Sequence, residues 1–392
     1  MSVATALRLP RAGGAIEPYA PGAPSPYAPP PVPPRSRVAF AAAHVVADPL
    51  APGDPDGPAQ LDWEATLAFR RHLWAHGLAV AEAMDTAQRG MGLDWDAARE
   101  LIRRSAAEAR ACGGVVAAGA GTDHIARGAA LPVVRAAYEE QCAFVEGTGA
   151  RVILMASRAL TAVATGPDDY AAVYEQVLGG LERPAILHWL GPMFDPALAG
   201  YWNPAAPDDL DAATETMLAI IAANRDKVDG VKVSLLDDAR EIALRRRLPD
   251  GVRLYTGDDF NYPALIRGDD LGHSDALLGI FDAIAPAAAT ALAALDAGDL
   301  DRYEEVLAPT VPLSRHIFRA PTYHYKTGVV FLAYLNGHQR HFRMVGGREG
   351  ARSVTHLAEL FALADRAALL RDPELASARM RLVLELAGVD QG

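Results

Sequence analysis

Two hydrophobic patterns alternate along most of this chain. Short apolar runs bounded by Gly, Asp or Pro are followed by longer segments in which apolar positions recur at helical spacing. The runs that predict strands are "VAFAAAHVV", "GLAVAEAM", "GGVVAAGAG", "ARVILMAS", "PAILHWL", "VDGVKVSLL", "GVRLYTGDD" and "HSDALLGIF". Between them, segments such as "LDWEATLAFRRHLWAHG", "LDWDAARELIRRSAAEARACG" and "LPVVRAAYEEQCAFVEGTG" open near Asp or Pro and close at Gly, as helices do. This alternation is the pattern of βα units around a parallel sheet, and eight repeats over about 245 residues match the usual size of a (β/α)8 TIM barrel. An open doubly wound sheet is disfavoured, because "HVVADPLAPGDPDGPAQ" offers glycines after the first strand but not at the dinucleotide spacing.

The pattern changes at both ends. Residues 1–36 are rich in Pro, Ala and Gly, and without backbone donors proline builds neither a sheet interior nor a helix, so an extended arm is expected. After about residue 298 the predicted strands stop and helical periodicity dominates, which predicts a helical extension over part of the barrel. The expected division is therefore 1–36 for the arm, 37–297 for the barrel and 298–392 for the extension.

Composition narrows the function classes. The chain of 392 residues carries a formal net charge of -12 with its basic residues scattered, which excludes an electrostatic footprint for nucleic acid. Only Cys112 and Cys142 are present, giving neither a disulfide framework nor a zinc-ligand spacing. No apolar segment approaches the roughly 20 residues a membrane helix needs, and no signal-peptide core is legible. A cytoplasmic protein without membrane or nucleic-acid partners is the expectation.

Within this background the lysines stand out. Arginine supplies almost every positive charge, and the lysines are Lys227, Lys232 and Lys326 alone. Arginine stays protonated, whereas an ammonium among apolar groups can lose its proton and become a nucleophile. Strand alternation puts Gly230, Lys232 and Ser234 on one face of "DGVKVSL" and Val231, Val233 and Leu235 on the other. The valine face suits packing on helices, so Lys232 is predicted to point into the barrel near the strand ends where barrel active sites lie. A dry neutral amine there can attack a carbonyl and form an imine. The competing reading is a lysine paired with Asp258 or Glu82 for structure only. In "RPAILHWLGP" the same alternation brings His188 beside Lys232 as a proton shuttle, against the alternative of a core histidine bonded to backbone. Further polar residues fall at predicted strand ends: Glu82, Asp85, Thr86, Ser157, Arg158, Ser234 and Asp258 as substrate contacts, with the Arg158 fork suited to a carboxylate and Asp259 reading as a helix cap.

These segments resemble the dihydrodipicolinate synthase and N-acetylneuraminate lyase family of Schiff-base aldolases over about residues 37–290. The "DW" helix start, the third strand "GGVVAAGAG", the fifth strand "PAILHWLGP", the lysine strand "VDGVKVSLLDD" and "LYTGDDFNYPALIRG" with its "GDD" carry the likeness in their order and spacing. The resemblance implies a (β/α)8 barrel with C-terminal helices, Lys232 as the imine-forming residue, no cofactor, and a homo-oligomer, dimer or tetramer. Two positions depart from the family. Its relay tyrosine falls at His188, and its hydroxyl-bearing "GTTGE" turn is replaced by "AEAMDTAQRG". Asp85 in that turn would repel a carboxylate, which makes a sugar-derived carbonyl compound a serious option beside a 2-oxo acid such as pyruvate.

Three function classes follow. The first is a Schiff-base lyase or aldolase acting on a small carbonyl substrate. The second is a metal-dependent barrel enzyme, a sugar isomerase or class II aldolase, with His44, Glu82, His188, Asp258 or His273 as ligands. The third is a carbonyl or sugar binder that has lost the proton chemistry. Outside the barrel, "TYHYKTG" reads as a packed helix start, and His338 and His341 in "NGHQRHFRMVGG" as a solvated loop or subunit contact.

Overall fold

A computed structural model describes residues 6–52, 54 and 57–392. The chain forms two compact units that interleave in sequence: one is built from residues up to Ser36, His44–Leu78 and Ile280–Gly392, the other from Arg37–Ala43 and Ala79–Gly279.

Two strands precede the barrel, β1 (Leu7–Pro10) and β2 (Ile16–Tyr19), paired as an antiparallel hairpin in the first unit. Leu7 and Leu9 are fully buried there, while Tyr19 donates a hydrogen bond to Asp365 at 2.7 Å, so the first part of the expected arm is tied down by alternate side chains. Residues 20–36, where proline removes the donors a ladder needs, carry no regular secondary structure. Residues 1–5 of the expected arm lie outside the described residues.

The second unit holds the sheet. Its strands are β3 (Ala39–Ala42), β4 (Ala79–Glu82), β5 (Val116–Ala120), β6 (Arg151–Leu154), β7 (Ala185–Leu190), β8 (Val228–Ser234), β9 (Arg253–Thr256) and β10 (Asp275–Leu278), one in each run that the hydrophobic pattern marks. All neighbours pair in parallel, and β10 pairs with β3, so the sheet closes into an eight-stranded barrel. With helices between the strands and helices after the last one, the fold is a (β/α)8 TIM barrel with a C-terminal helical extension.

Local chemistry explains the boundaries. Asp62 and Asp94 cap the helices Trp63–Ala75 and Trp95–Cys112 by accepting from the backbone N–H three residues on, and Gly113 ends the second with a φ of 73° that a Cβ would oppose. The barrel interior is filled by Phe40, Ala81, Ala117, Ile153, Ile186, Tyr255 and Leu277, one from each strand but β8. On β8 the corresponding residue is Gly230, where a Cβ would stand 2.7 Å from the Tyr255 ring, so the glycine makes room for the tyrosine. This register fixes the inward face of β8 as Gly230, Lys232 and Ser234.

The first unit is mainly helical, with Leu300–Leu307, Thr310–Ile317, Tyr325–Leu335, Val354–Arg366 and Pro373–Leu386 as its later helices. One expectation is corrected here. His338 does not lie in a solvated loop: its ring packs 5.1 Å from Phe69 and 4.3 Å from His72, centroid to centroid. No helix among the described residues is long and apolar enough to cross a membrane.

Candidate active site

Parallel strands bring all their C-terminal ends to one face of a barrel. On that face a cavity of about 190 Å³ is lined by residues from four successive strand ends: Asp85 and Arg89 after β4, Thr122, Asp123 and Arg127 after β5, Ser157 and Arg158 after β6, and His188 on β7.

Lys232 faces inward on β8, directly opposite His188 on β7 and Tyr255 on β9. It is 4% exposed, and its amine has no hydrogen bond or ion pair among the described residues. Burial lowers the Lys232 pKa, while the charges of Asp85 and Asp259 act in the opposite sense and do not outweigh it. Pairing with Glu82 or Asp258 for structure is therefore not what the lysine does. Lys232 itself is not part of the cavity lining; its ladder neighbour His188 is.

His188 is 1% exposed, and burial, reinforced by the Lys232 charge and opposed by Asp85, holds its pKa well below the ordinary value. At neutral pH it is an uncharged imidazole, able to accept a proton. Its Nε2 stands 3.4 Å from Ser234 Oγ at the end of β8. Asp85 sits in a short 3-10 turn, Asp85–Ala87, reached through Ala83, whose φ of 52° is uncommon for a residue with a Cβ. That turn places the carboxylate where its charge acts on both Lys232 and His188.

The other predicted contacts divide. Ser157 lines the cavity, shares a 2.5 Å hydrogen bond with Thr122 and caps the helix Arg158–Val163. Arg158 also lines it; its Nε donates to Asp195, and its Nη atoms lie where a Cβ on Gly90 would stand. Thr86 is buried in the turn away from the lining.

Glu82 and Asp258 are corrections. Ala81 and Tyr255 point into the barrel, so alternation turns Glu82 and Thr256 to the outer face. Glu82 accepts from the Ala83 N–H at 2.9 Å. Asp258 spends both oxygens on the turn that follows, accepting from the Phe260 and Asn261 N–H groups at 2.8 and 3.0 Å and from Asn261 Nδ2 at 2.9 Å. Neither lines the cavity. The turn-bracing part expected of Asp259 belongs to Asp258, and Asp259 instead acts on Lys232 through its charge.

The metal-ligand set does not assemble either. His44 donates from Nδ1 to Asp282 in the first unit, His273 precedes β10 at the strand-start end, and Glu82 and Asp258 face outward. No group of three or more His, Cys, Asp or Glu side chains among the described residues is arranged to hold a metal ion.

Sequence reasoning missed three lining groups. Arg89 is buried and fully engaged: it chelates Asp123 at 2.9 and 2.7 Å, donates to the Gly119 carbonyl at 2.6 Å and to Gln141 at 2.5 Å. Burial would raise the Asp123 pKa, but the Arg89 charge and hydrogen bonds, with that of Gln141, hold it at about 2. Arg127, in contrast, lines the cavity with no partner among the described residues. The loops after β4 and β5 carry no periodicity, and only the general rule that barrel chemistry lies at strand ends pointed to them.

Solved structures share this architecture. The chain is similar to a dihydrodipicolinate synthase from Aquifex aeolicus (TM-score 0.60, 14% identity, covering 91% of this chain and 99% of that one). It is also similar to a chloride-inhibited dihydrodipicolinate synthase from Acinetobacter baumannii complexed with pyruvate (TM-score 0.63, 15% identity, 85% and 99%), and to the enzyme from Bacillus clausii (TM-score 0.57, 16% identity, 84% and 96%). At such identities the likeness is one of fold. No curated protein matches the sequence. The family model described as "Protein of unknown function (DUF993)" matches residues 7–389, and the chain belongs to that family.

Proposed function

We propose that the protein is a Schiff-base lyase or aldolase that makes or breaks a C–C bond in a small carbonyl compound, with Lys232 as the nucleophile. The observation that carries this reading is a lysine amine buried inside the barrel with no hydrogen bond or ion pair among the described residues. An ammonium left unpaired in such a place is strongly disfavoured, whereas the neutral amine is stable and nucleophilic.

Addition of the amine nitrogen to a carbonyl carbon gives a carbinolamine. The neutral His188 ring accepts the proton released from nitrogen and returns it to the departing hydroxyl, which leaves as water with formation of the protonated imine. In the cleavage direction the same ring takes the proton from the substrate hydroxyl β to the imine carbon. The C–C bond then breaks towards the iminium, leaving an enamine and a free carbonyl product. Protonation of the enamine and hydrolysis of the imine restore the lysine. Asp85 stabilises the positive charge that appears in turn on imidazole and imine, and no cofactor is called for.

Charge around the cavity narrows the substrate. Arg89 and Arg158 are tied to Asp123 and Asp195, and Asp85 stands at the reacting end. A carboxylate attached directly to the carbonyl carbon would meet Asp85. Arg127, unpaired among the described residues, favours an anionic group farther along the molecule, so a sugar-derived ketone or aldehyde with a remote anion fits better than pyruvate.

Borohydride reduction in the presence of dihydroxyacetone phosphate, glyceraldehyde 3-phosphate and pyruvate tests the reading. The expected result is a stable adduct on the peptide containing Lys232, stronger with the phosphorylated compounds than with pyruvate. An adduct confined to another peptide would overturn the mechanism.

A further inference from the structure

The first unit contains a cavity of about 340 Å³ that plays no part in the chemistry above. Much of its wall is apolar: Phe69, Pro286, Ala333 and Leu369, with Tyr27 and Pro29 contributed by the proline-rich arm. The arm is held there by the Ser25 N–H, which donates to the Leu370 carbonyl at 2.8 Å. Small-molecule sites have this make-up, an apolar enclosure with a few convergent polar groups.

The polar groups sort into engaged and free. Asp282 accepts from the His44 backbone N–H at 2.7 Å and from its Nδ1 at 2.8 Å. Asn336 donates to the Leu369 carbonyl at 3.0 Å and accepts from the Arg371 N–H at 3.0 Å. His76 is engaged through Nδ1, which bonds the His72 carbonyl at 2.8 Å. Left over, besides the Tyr27 hydroxyl, are the rings of His72 and His338 and the guanidinium of Arg371, none of which makes a side-chain hydrogen bond or ion pair among the described residues. The rings stand 4.3 Å apart, and the Arg371 charge acts on both. Burial is the main cause that lowers the pKa of His72 to about 2 and of His338 to about 3, so at neutral pH both rings are uncharged N–H donors beside one guanidinium. Because no three side chains here are arranged for a metal ion, an organic ligand is the better match.

We propose that this cavity binds a small monocarboxylate with an apolar body, Arg371 taking the carboxylate by its fork and His72 and His338 donating to the same group. The apolar body lies against Phe69, Leu369 and the arm. The guanidinium sets the anion, the walls set the hydrocarbon, and neutral rings add hydrogen bonds without adding the second charge that a phosphate dianion would call for.

Calorimetric titration of the full chain with benzoate and hexanoate tests this, with benzyl alcohol and inorganic phosphate as comparators. One equivalent of carboxylate is expected to bind, with the alcohol and phosphate weaker by about tenfold or more. Arg371→Gln changes an exposed side chain and should weaken carboxylate binding by about tenfold, and Ala333→Leu, which fills the cavity, should abolish it. Arg127→Gln in the barrel cavity should leave it unchanged. Absence of carboxylate binding, equal binding of benzyl alcohol, or a loss caused by Arg127→Gln instead of Arg371→Gln would each overturn the proposal.

Discussion

Lys232 and Lys326 occupy two regions with the same burial and opposite circumstances. Each is 4% exposed. At the start of the helix Tyr325–Leu335, Lys326 donates to the Tyr323 carbonyl at 3.3 Å and lies 4.8 Å from the centre of the Tyr325 ring, two contacts that favour the ammonium. On β8 no acceptor among the described residues bonds Lys232, and the charges of Asp85 and Asp259 act on it through space. Burial alone therefore does not single out the proposed nucleophile. What distinguishes the barrel lysine is burial without a partner among the described residues, next to a neutral imidazole that itself lines a cavity.

The widest separation between the two is expected on substitution. Lys232→Arg restores a permanent charge, removes the nucleophile and should lower turnover at least about a thousandfold, with loss of borohydride trapping. Lys326→Arg should leave both close to the wild type, as read by steady-state kinetics and mass spectrometry. Equal losses in the two variants would erase the distinction.

A second probe disturbs Lys232 without replacing it. At Gly257 a Cβ would lie 2.7 Å from the Val233 carbonyl and 2.9 Å from Lys232 Cε. Gly257→Ala should displace the amine and reduce kcat/KM by about a hundredfold, while stability falls by only about 1–3 kcal/mol. Activity unchanged in that variant would mean the lysine position is unimportant.

Glu241 sharpens the contrast with a buried acid that does have partners. It accepts from Thr256 Oγ1 at 3.0 Å and Ser274 Oγ at 2.8 Å, yet burial outweighs these bonds and raises its pKa from 4.5 to about 8. The folded state therefore holds this proton more tightly than the unfolded chain. Its contribution is fully present below about pH 4.5 and is lost as pH rises towards 8, a change on the order of 5 kcal/mol. Denaturant titrations should show that decline in the wild type and a flatter profile for Glu241→Gln. The smallest effect belongs to Lys326→Ala, which should cost about 1–2 kcal/mol from the lost carbonyl and ring contacts, read from the denaturation midpoint.

How much of this was legible in the sequence follows from periodicity. All eight barrel strands lie within apolar runs, and the inward face of Lys232 and His188 follows from a period of two. The same alternation, applied to "LAVAE" and "LYTGD", would have turned Glu82 and Asp258 outward, because Ala81 and Tyr255 are the residues that fill the barrel. Loop-borne groups were a different matter. Arg127 and the Arg89–Asp123 pair are placed by turns without repeat, and the pairing of Arg158 with Asp195 joins segments 37 residues apart. The histidine-lined cavity was invisible for a similar reason, since His72 and His338 meet only through tertiary packing.

The central claim is that the Lys232 amine is uncharged and accessible to a carbonyl at neutral pH. Competitive reductive methylation with formaldehyde and cyanoborohydride, followed peptide by peptide from about pH 6 to about pH 11, measures this for all three lysines in one experiment. Lys232 should label faster than Lys227 and Lys326 near neutrality, with a midpoint below the ordinary 10.5. A midpoint at or above 10.5, or labelling no faster than that of Lys326, would contradict the account.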